Sequence, residues 1–235
     1  MSGSRVYLRV NRTDPDVCAA AAAITMTDLY EAMGLAGRSA VMSPRMRPLL
    51  AGARMAGPAV TAWCGPGDNL MMHRALTLAV SGDVLVVVCG VEMSAAQWGD
   101  LATRIAQRQK LAGVVVQGCV RDVDTVRELG FAVWATAVHP AHPEKRGPGY
   151  VNMPVVCDGV TVNPGDLIVA DGDGVLAVPR ASASAVVAAA SEKMRKEDRI
   201  IAAVAGGASL WDAANISAHY VAAQVEELDR AFDDA

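Results

Sequence analysis

The chain has 235 residues, 52% of them apolar, and its 21 basic and 25 acidic side chains give a formal net charge of -4 at pH 7. This length supports one large domain or two small ones with a sizeable core. No run of five or more Lys and Arg is present, so we expect no nucleic-acid ligand. The longest apolar stretch, residues 17–24, is far shorter than the ~20 residues of a membrane span, and no signal-peptide pattern precedes it. We therefore expect a soluble cytoplasmic protein with no membrane partner.

The cysteines are odd in number, widely spaced and set mostly in apolar runs, at Cys18, Cys64, Cys89, Cys119 and Cys157. This pattern is typical of small buried side chains in a reducing compartment. We expect neither disulfides nor a zinc site.

Two short helices are predicted near the amino terminus. Asp14 and Pro15 form an N-cap and first-turn pair ahead of an Ala-rich stretch. Thr27 can cap the second helix, and Gly34 can end it in the left-handed conformation that costs glycine least. Residues 37–56 lack a clear period and are interpreted largely as loop.

Strands and helices then alternate. Strands are predicted at residues 57–63, 84–89, 113–117 and 131–137, and helices at residues 70–81, 101–110 and 123–129. The short connections indicate right-handed crossovers and a parallel sheet core.

In residues 154–178 the alternation of strands and helices gives way to short apolar runs separated by turn residues. This pattern predicts hairpins, so the sheet should be mixed. A helical region begins near Ser182 and should break at Gly206 and Gly207. The sequence thus predicts one α/β domain over residues 1–180, with a largely parallel sheet, and a C-terminal helical extension over residues 181–235.

Two connections carry the candidate chemistry, because open α/β sheets bind ligands at the carboxyl ends of their strands. The first runs from Trp98 to Leu101 and the second from Gly118 to Asp122. Unpaired N–H groups at a helix start can hold a small carboxylate, and the fork of Arg121 suits a carboxylate or keto oxygen. Asp100 and Asp122 suit a hard divalent cation with several waters. The alternative is that both aspartates are ordinary helix caps and Arg121 is a surface side chain.

The spacing of Asp100, twenty intervening residues, then Arg121 and Asp122 resembles the signature of the 4-hydroxy-4-methyl-2-oxoglutarate and 4-carboxy-4-hydroxy-2-oxoadipate aldolases of the RraA-like family. The resemblance runs from about residue 16 to residue 178. Further similarities lie at residues 66–69 with His73, and at residues 84–88, 118–122, 154–157, 164–166 and 171–175. The resemblance implies an RraA-type domain of the swivelling β/β/α kind, in which the layers follow the order α-β-β-α.

The resemblance also implies a class II aldolase that releases pyruvate with Mg²⁺ or Mn²⁺ and can decarboxylate oxaloacetate. By position, Asp122 is the direct metal ligand and Arg121 binds the pyruvoyl group and its developing enolate oxygen. Asp100 holds metal-bound water, and the amides near Gly99, Asp100 and Leu101 receive the substrate carboxylate. The small 2-oxo acid is the expected partner.

Family members are trimers or pairs of trimers that draw an acidic residue from a neighbouring subunit into the outer metal shell. Glu197 is the best counterpart, with Asp198 and Glu192 as rivals, and the helical extension would contact that neighbour. The alternative is that these residues, set among Lys and Arg, are a solvated helix face.

The chemistry of the reaction agrees with this interpretation. Cleavage beside a ketone leaves an enolate and requires a base for the distant hydroxyl. The base could be a metal-bound water or Asp100 acting through water. A Schiff-base lysine is the other solution, but no lysine is placed in an apolar stretch; the four are Lys110, Lys145, Lys193 and Lys196.

Other signals have simpler explanations. Residues 65–68 lack the rest of a nucleotide loop, so a turn is favoured over an S-adenosylmethionine methyltransferase. Asn69 and His73 are candidates for the pocket wall, with a core role for His73 as the alternative. Residues 139–146, with His139 and His142, are interpreted as a mobile loop near the substrate, and residues 171–174 as a tight turn. A non-catalytic RraA-like regulator that binds an RNA-degrading enzyme remains the second functional hypothesis, and Asp100 favours the aldolase.

Overall fold

A computed structural model of the chain describes residues 4–89 and 95–232. The chain divides into two compact units, Met1–Ser191 and Glu192–Ala235. The strands are β1 Arg5–Val6, β2 Arg47–Pro48, β3 Met55–Cys64, β4 Val84–Val88, β5 Ala96–Trp98, β6 Gly113–Val120, β7 Val133–Val138, β8 Gly149–Val151, β9 Val155–Cys157, β10 Val160–Val162, β11 Leu167–Asp171 and β12 Gly174–Val178. The helices are α1 Pro15–Ala22, α2 Met26–Ala32, α3 Leu70–Leu78, α4 Asp100–Arg108, α5 Val123–Glu128, α6 Ala183–Ala205, α7 Leu210–Ala213 and α8 Ile216–Ala222, with a 3₁₀ turn at Gly34–Ser39.

The main sheet of the first unit is mixed and largely parallel, as predicted. Its strands run in the order β1-β8-β3-β4-β6-β7-β2, and β3, β4, β6 and β7 are parallel neighbours. Strand β5 adds in parallel to the carboxyl end of β6. Strands β8, β2 and β11 pair in the antiparallel sense. The parallel centre follows from the β-branched runs and short helices of the sequence.

Successive side chains of the central strands point to opposite faces of the sheet, and this alternation produces the layers. In β4, Leu85 and Val87 face a core built with α3, α4 and α5. Val84, Val86 and Val88 face a second core shared with β9–β12. On the far side of β11 and β12, a third core contains residues of α1, α2 and the start of α6. The order of layers is therefore helices, sheet, strands and helices, which confirms the α-β-β-α arrangement.

The amino-terminal caps confirm one prediction and correct another. The Asp14 carboxylate accepts from the Asp16 amide at 2.8 Å, as expected of an N-cap. The prediction that Thr27 caps the second helix is wrong, because Thr25 is its N-cap and accepts from the Asp28 amide at 3.1 Å. Thr25 also donates to the Asp28 carboxylate, and this reciprocal pairing decides between two threonines that both suit a cap. Gly34 follows the helix with φ of +58°, the left-handed conformation expected.

Both predicted hairpins are present. Strands β9 and β10 pair through a two-residue turn at Asp158 and Gly159, both with positive φ, as a type I′ turn requires. Strands β11 and β12 pair around residues 171–174, which confirms the tight turn. Strands β1, β2, β5 and β8 have only two or three residues each and were not predicted. The helix predicted at residues 70–81 ends at Leu78, because the Asp83 carboxylate accepts from the Val80 amide.

The second unit is helical, and the predicted break at Gly206 and Gly207 is confirmed between α6 and α7. Neither α7 nor α8 contains a buried residue, although Trp211 and Tyr220 make an edge-to-face contact at 5.2 Å. Within the described part of the chain, no helix is long and apolar enough to cross a membrane.

All five cysteines are buried. Burial raises the pKa of Cys18 to about 11 and that of Cys64 to about 12, so both thiols are neutral at pH 7.

Candidate active site

The register between β5 and β6 brings the two predicted connections together. Ala96 is paired with Cys119 and Trp98 with Val120, so both strands end at the same edge. The Arg121 amide donates to the Trp98 carbonyl at 3.0 Å. The residues after each strand, Gly99 with Asp100 and Arg121 with Asp122, therefore meet in space.

Asp122 occupies an N-cap position but does not act as a cap. It precedes α5 in the left-handed conformation, with φ of +55°, and its side chain makes no capping bond. Its Oδ2 lies 3.5 Å from the Asp100 amide nitrogen and 3.4 Å from Arg121 Nε. The carboxylate thus turns toward the other connection, which is not what the alternative of ordinary capping predicts.

Gly99 leaves room for this approach. A Cβ at Gly99 would lie 2.7 Å from Asp122 Oδ2 and 3.2 Å from Arg121 Cγ. Its φ of -166° is extended and available to any residue, so space rather than backbone conformation requires glycine here.

A buried hydrogen-bond chain holds this connection in place. The Trp98 indole donates to the Thr103 hydroxyl at 2.8 Å, and that hydroxyl donates to the Gly99 carbonyl at 3.0 Å. Trp98 is 2% exposed and Thr103 is fully buried. The start of α4 is therefore fixed before any ligand binds, and the first-turn N–H groups of Asp100 and Leu101 lack helical acceptors.

The β5–α4 and β6–α5 connections line a cavity of about 150 Å³. Its wall comes from the start of α3, the β5–α4 and β6–α5 connections, and residues 142–145. The lining includes the polar or site-forming residues Asn69, His73, Gly99, Asp100, Leu101, Arg121, Asp122, His142 and Lys145. A second hollow of about 400 Å³ also has Arg121 and Asp122 in its lining, together with His139. The first cavity contains every site residue predicted from the sequence except Glu197.

The segment predicted to be a substrate-proximal loop does border the cavity. Arg121 Nη1 and His142 Nδ1 are 3.4 Å apart. A guanidinium can only donate, so a hydrogen bond at this contact requires the His142 tautomer in which Nδ1 accepts.

The end of that loop is attached to the start of α3. Asp68 is 4% exposed, and its carboxylate accepts from the amides of Leu70, Arg146 and Gly147. The Asn69 amide also donates to the Glu144 carbonyl at 3.0 Å. The residues at 65–68 form the predicted turn, but the anchoring role of Asp68 was missed. An Asp before a helix is a cap by sequence, and only the fold shows its second set of partners.

Asn69, the N-cap of α3, and His73, in the first turn of that helix, lie on the cavity wall. Burial lowers the pKa of His73, and the positive charge of Lys145 lowers it further, while Asp68 opposes them. His73 is therefore a neutral imidazole at pH 7. The structure places both Asn69 and His73 at the pocket wall, which favours that position over a core role for His73.

The donor set suits a hydrated divalent cation. Among the described residues, no three His, Cys, Asp or Glu side chains form a ready-made metal site. Asp122 and Asp100 both border the cavity with partly exposed side chains, 40% and 29%. Asp100 also pairs with Arg104 at 3.6 Å on its own helix. Mg²⁺ commonly binds through one or two carboxylates with waters and substrate completing its shell, so these two residues fit Mg²⁺ or Mn²⁺.

Glu197 belongs to the second unit and forms an ion pair with Lys193 on α6. Its rival Glu192 pairs with Arg195 at 2.5 Å, which lowers the pKa of Glu192. These pairs are what a solvated helix face predicts, and the role of Glu197 toward a neighbouring subunit stays a prediction. None of the four lysines is buried, which agrees with the argument against a Schiff base.

Comparisons with known proteins point to one family. Residues 26–177 match the family model described as RraA-like, Aldolase/RraA. A Halalkalibacterium halodurans protein named "Putative 4-hydroxy-4-methyl-2-oxoglutarate aldolase" is 33% identical over 157 residues, covering 67% of this chain and 75% of the relative. A protein of the same name from Burkholderia multivorans is 40% identical over 151 residues, covering 64% and 92%. The solved structure of Streptomyces coelicolor RraAS2, described as an unusual member of the RNase ES inhibitor RraA protein family, has a TM-score of 0.71 and 30% identity, covering 81% of this chain and 98% of that one.

Proposed function

Because the chain belongs to the RraA-like family of aldolases and RraA proteins, we propose that it is a metal-dependent lyase that releases pyruvate. The substrates we propose are 4-hydroxy-4-methyl-2-oxoglutarate and 4-carboxy-4-hydroxy-2-oxoadipate, which yield pyruvate and a second 2-oxo acid. The observation that carries the proposal is the meeting of Arg121, Asp100 and Asp122 at one cavity. The names of the curated relatives support the same activity.

The cavity binds the pyruvoyl end of the substrate in this proposal. The N–H groups at the start of α4, near Gly99 and Leu101, receive the carboxylate, because a helix N-terminus favours an anion. The guanidinium of Arg121 donates to the keto oxygen, which becomes the enolate oxygen when the carbon–carbon bond breaks. Gly99 and the buried Thr103 keep these donors in position.

A Mg²⁺ or Mn²⁺ ion would be held by Asp122 directly and by Asp100 through water, and it would supply positive charge to stabilise the enolate. Asp100 is also a candidate to take the proton of the distant hydroxyl through water. Decarboxylation of oxaloacetate passes through the same enolate, so we expect it as a second activity.

We also propose that the chain assembles as a homotrimer or homohexamer, in which residues 181–235 contact a neighbouring subunit and Glu197 reaches that subunit's metal shell. Light scattering tests this, since a monomer would leave Glu197 without that role.

A non-catalytic RraA-like regulator of an RNA-degrading enzyme is the second candidate. The observation in its favour is the similarity to RraAS2, whose description names an RNase inhibitor family. The carboxylates of Asp100 and Asp122 beside the cavity favour the enzyme, because protein–protein inhibition requires no such cluster.

A pyruvate-release assay separates the two candidates. The full chain is supplied with 4-hydroxy-4-methyl-2-oxoglutarate or oxaloacetate in Mg²⁺ or Mn²⁺, then treated with a chelator and resupplied with metal. We expect pyruvate release that the chelator abolishes and metal restores. Turnover that survives chelation would remove metal dependence, and no turnover of either substrate would favour the regulator.

A further inference from the structure

The start of α3 presents a buried acceptor with no partner. Asn69 is 5% exposed and lines the cavity. Its Nδ2 donates to the Gln97 carbonyl at 3.4 Å, and its Oδ1 is buried without a hydrogen-bond partner in the part of the chain that the structure describes. A carbonyl can only accept, so this contact fixes the orientation of the amide. The free atom is therefore an acceptor that awaits a donor.

A second unpartnered group lies one helical turn away. His73 Nε2 is buried and has no hydrogen-bond partner among the described residues. The His73 amide donates to the Asn69 carbonyl at 3.2 Å, and both residues line the same cavity, so they belong to one part of its wall. As a neutral imidazole, His73 carries one N–H and one lone pair, and Nε2 can be either.

The unpartnered polar atoms on this cavity wall, which also include both side-chain amide atoms of the buried Gln97, call for a ligand. Leaving a buried donor or acceptor unsatisfied costs about 1–3 kcal/mol, and native proteins contain few such atoms. A carboxylate would not suit Asn69 Oδ1, because both groups are acceptors. A hydroxyl suits both residues, since its hydrogen can go to Asn69 and its oxygen can accept from His73.

We propose that Asn69 and His73 bind the C4 hydroxyl of a 4-hydroxy-2-oxo acid and so select substrates that carry this group. The inference rests on the proposed function, since it assigns the part of the substrate beyond the pyruvoyl end. It predicts that hydroxylated substrates gain hydrogen bonds that oxaloacetate, which has no hydroxyl at C4, does not make.

Comparing two reactions of the same site tests the inference. Retro-aldol cleavage breaks the C3–C4 bond as the hydroxyl passes its proton through water to Asp100, C4 becomes a carbonyl and the electron pair passes to the enolate. Oxaloacetate decarboxylation breaks its C3–C4 bond, releases CO₂ and gives the same enolate with no hydroxyl involved. Exchange of pyruvate methyl protons with D₂O is a second hydroxyl-free reaction. The ratio of aldol cleavage to either one isolates the hydroxyl contact.

The variants are Asn69→Ala and His73→Gln, with Arg74→Gln as the matched control on the exposed face of α3. We expect the ratio of kcat/KM for 4-hydroxy-4-methyl-2-oxoglutarate to that for oxaloacetate to fall about tenfold in each variant and to remain at the wild-type value in the control. His73 is half-buried, so His73→Gln keeps the test valid if Asn69→Ala does not fold.

The outcomes are distinguishable. A parallel fall in all reactions, or an unchanged ratio in folded variants, would overturn the inference and leave the proposed function standing. Absence of every reaction in the wild-type protein with metal would refute the proposed function and, with it, the inference.

Discussion

Replacing Gly99 with alanine should damage the site while sparing the fold. The added Cβ would lie 2.7 Å from Asp122 Oδ2, so the carboxylate must retreat by about 0.7 Å to reach the 3.4 Å of ordinary contact. The extended φ of Gly99 accepts alanine without strain, and the partly exposed Asp122 side chain can rotate. We therefore expect a stability loss of no more than about 1 kcal/mol. Displacement of the proposed metal ligand on this scale should lower kcat/KM by about 10- to 100-fold.

The measurements are Mn²⁺ affinity by calorimetry, pyruvate release and thermal denaturation. Gly172→Ala is the matched control, because no atom lies within 4 Å of its Cβ and its φ is not in the left-handed region. Activity of Gly99→Ala within twofold of wild type would refute the argument that this close approach shapes the site. A large fall in Tm would show instead that the approach is needed for folding.

Four further changes have defined outcomes. Asp122→Asn should weaken Mn²⁺ binding at least tenfold with an unchanged circular dichroism spectrum; full metal-dependent activity would show that the ligand is misplaced. Arg121→Lys keeps the charge but loses the planar fork, so pyruvate release should fall by about 10- to 100-fold, and an unchanged rate would contradict substrate contact. Asp83→Ala should cost about 3 kcal/mol in urea denaturation, because the buried carboxylate accepts from Arg12 at 2.7 and 2.9 Å; a loss below about 1 kcal/mol would contradict this. For His73, burial lowers the pKa from 6.5, so the folded state binds fewer protons than the unfolded state. The contribution of neutral His73 to the free energy of unfolding is present above pH 6.5 and lost as the pH falls through the folded pKa. The free energy of unfolding should therefore decline more steeply from pH 7 to 5 in wild type than in His73→Gln. Parallel pH dependences of the two proteins would contradict the lowered pKa.

The elements that the sequence predicts are those with local signals. Runs such as residues 84–88 are β-branched and bounded by glycine, and a helix between them, α4, has one buried face at Ala102 and Ala106. Asp14 and Gly34 act as local chemistry predicts, while Thr25 and Thr27 show its limit. By sequence, either threonine suits a cap. In the structure, Thr25 pairs with Asp28 and caps the helix, whereas the Thr27 hydroxyl donates to Asp173 in the turn between β11 and β12. Strands of two or three residues carry too little pattern to detect, because a partner strand defines them.

The candidate site likewise has features that the sequence determined and features that only the tertiary structure decided. The sequence by itself determined the order of strands and helices, and with it the arrival of Asp100, Arg121 and Asp122 at helix starts, since short connections after buried strands leave few alternatives. Tertiary structure decided the register of β5 on β6, the left-handed turn at Asp122 and the space beside Gly99, which together join these residues. It also placed Asn69 and His73 on the wall of the same cavity, where Asn69 Oδ1 and His73 Nε2 have no hydrogen-bond partner among the described residues. The physical reason is that periodicity and capping act over a few neighbouring residues, whereas hydrogen bonds and cavities form between segments that only the packed layers bring together.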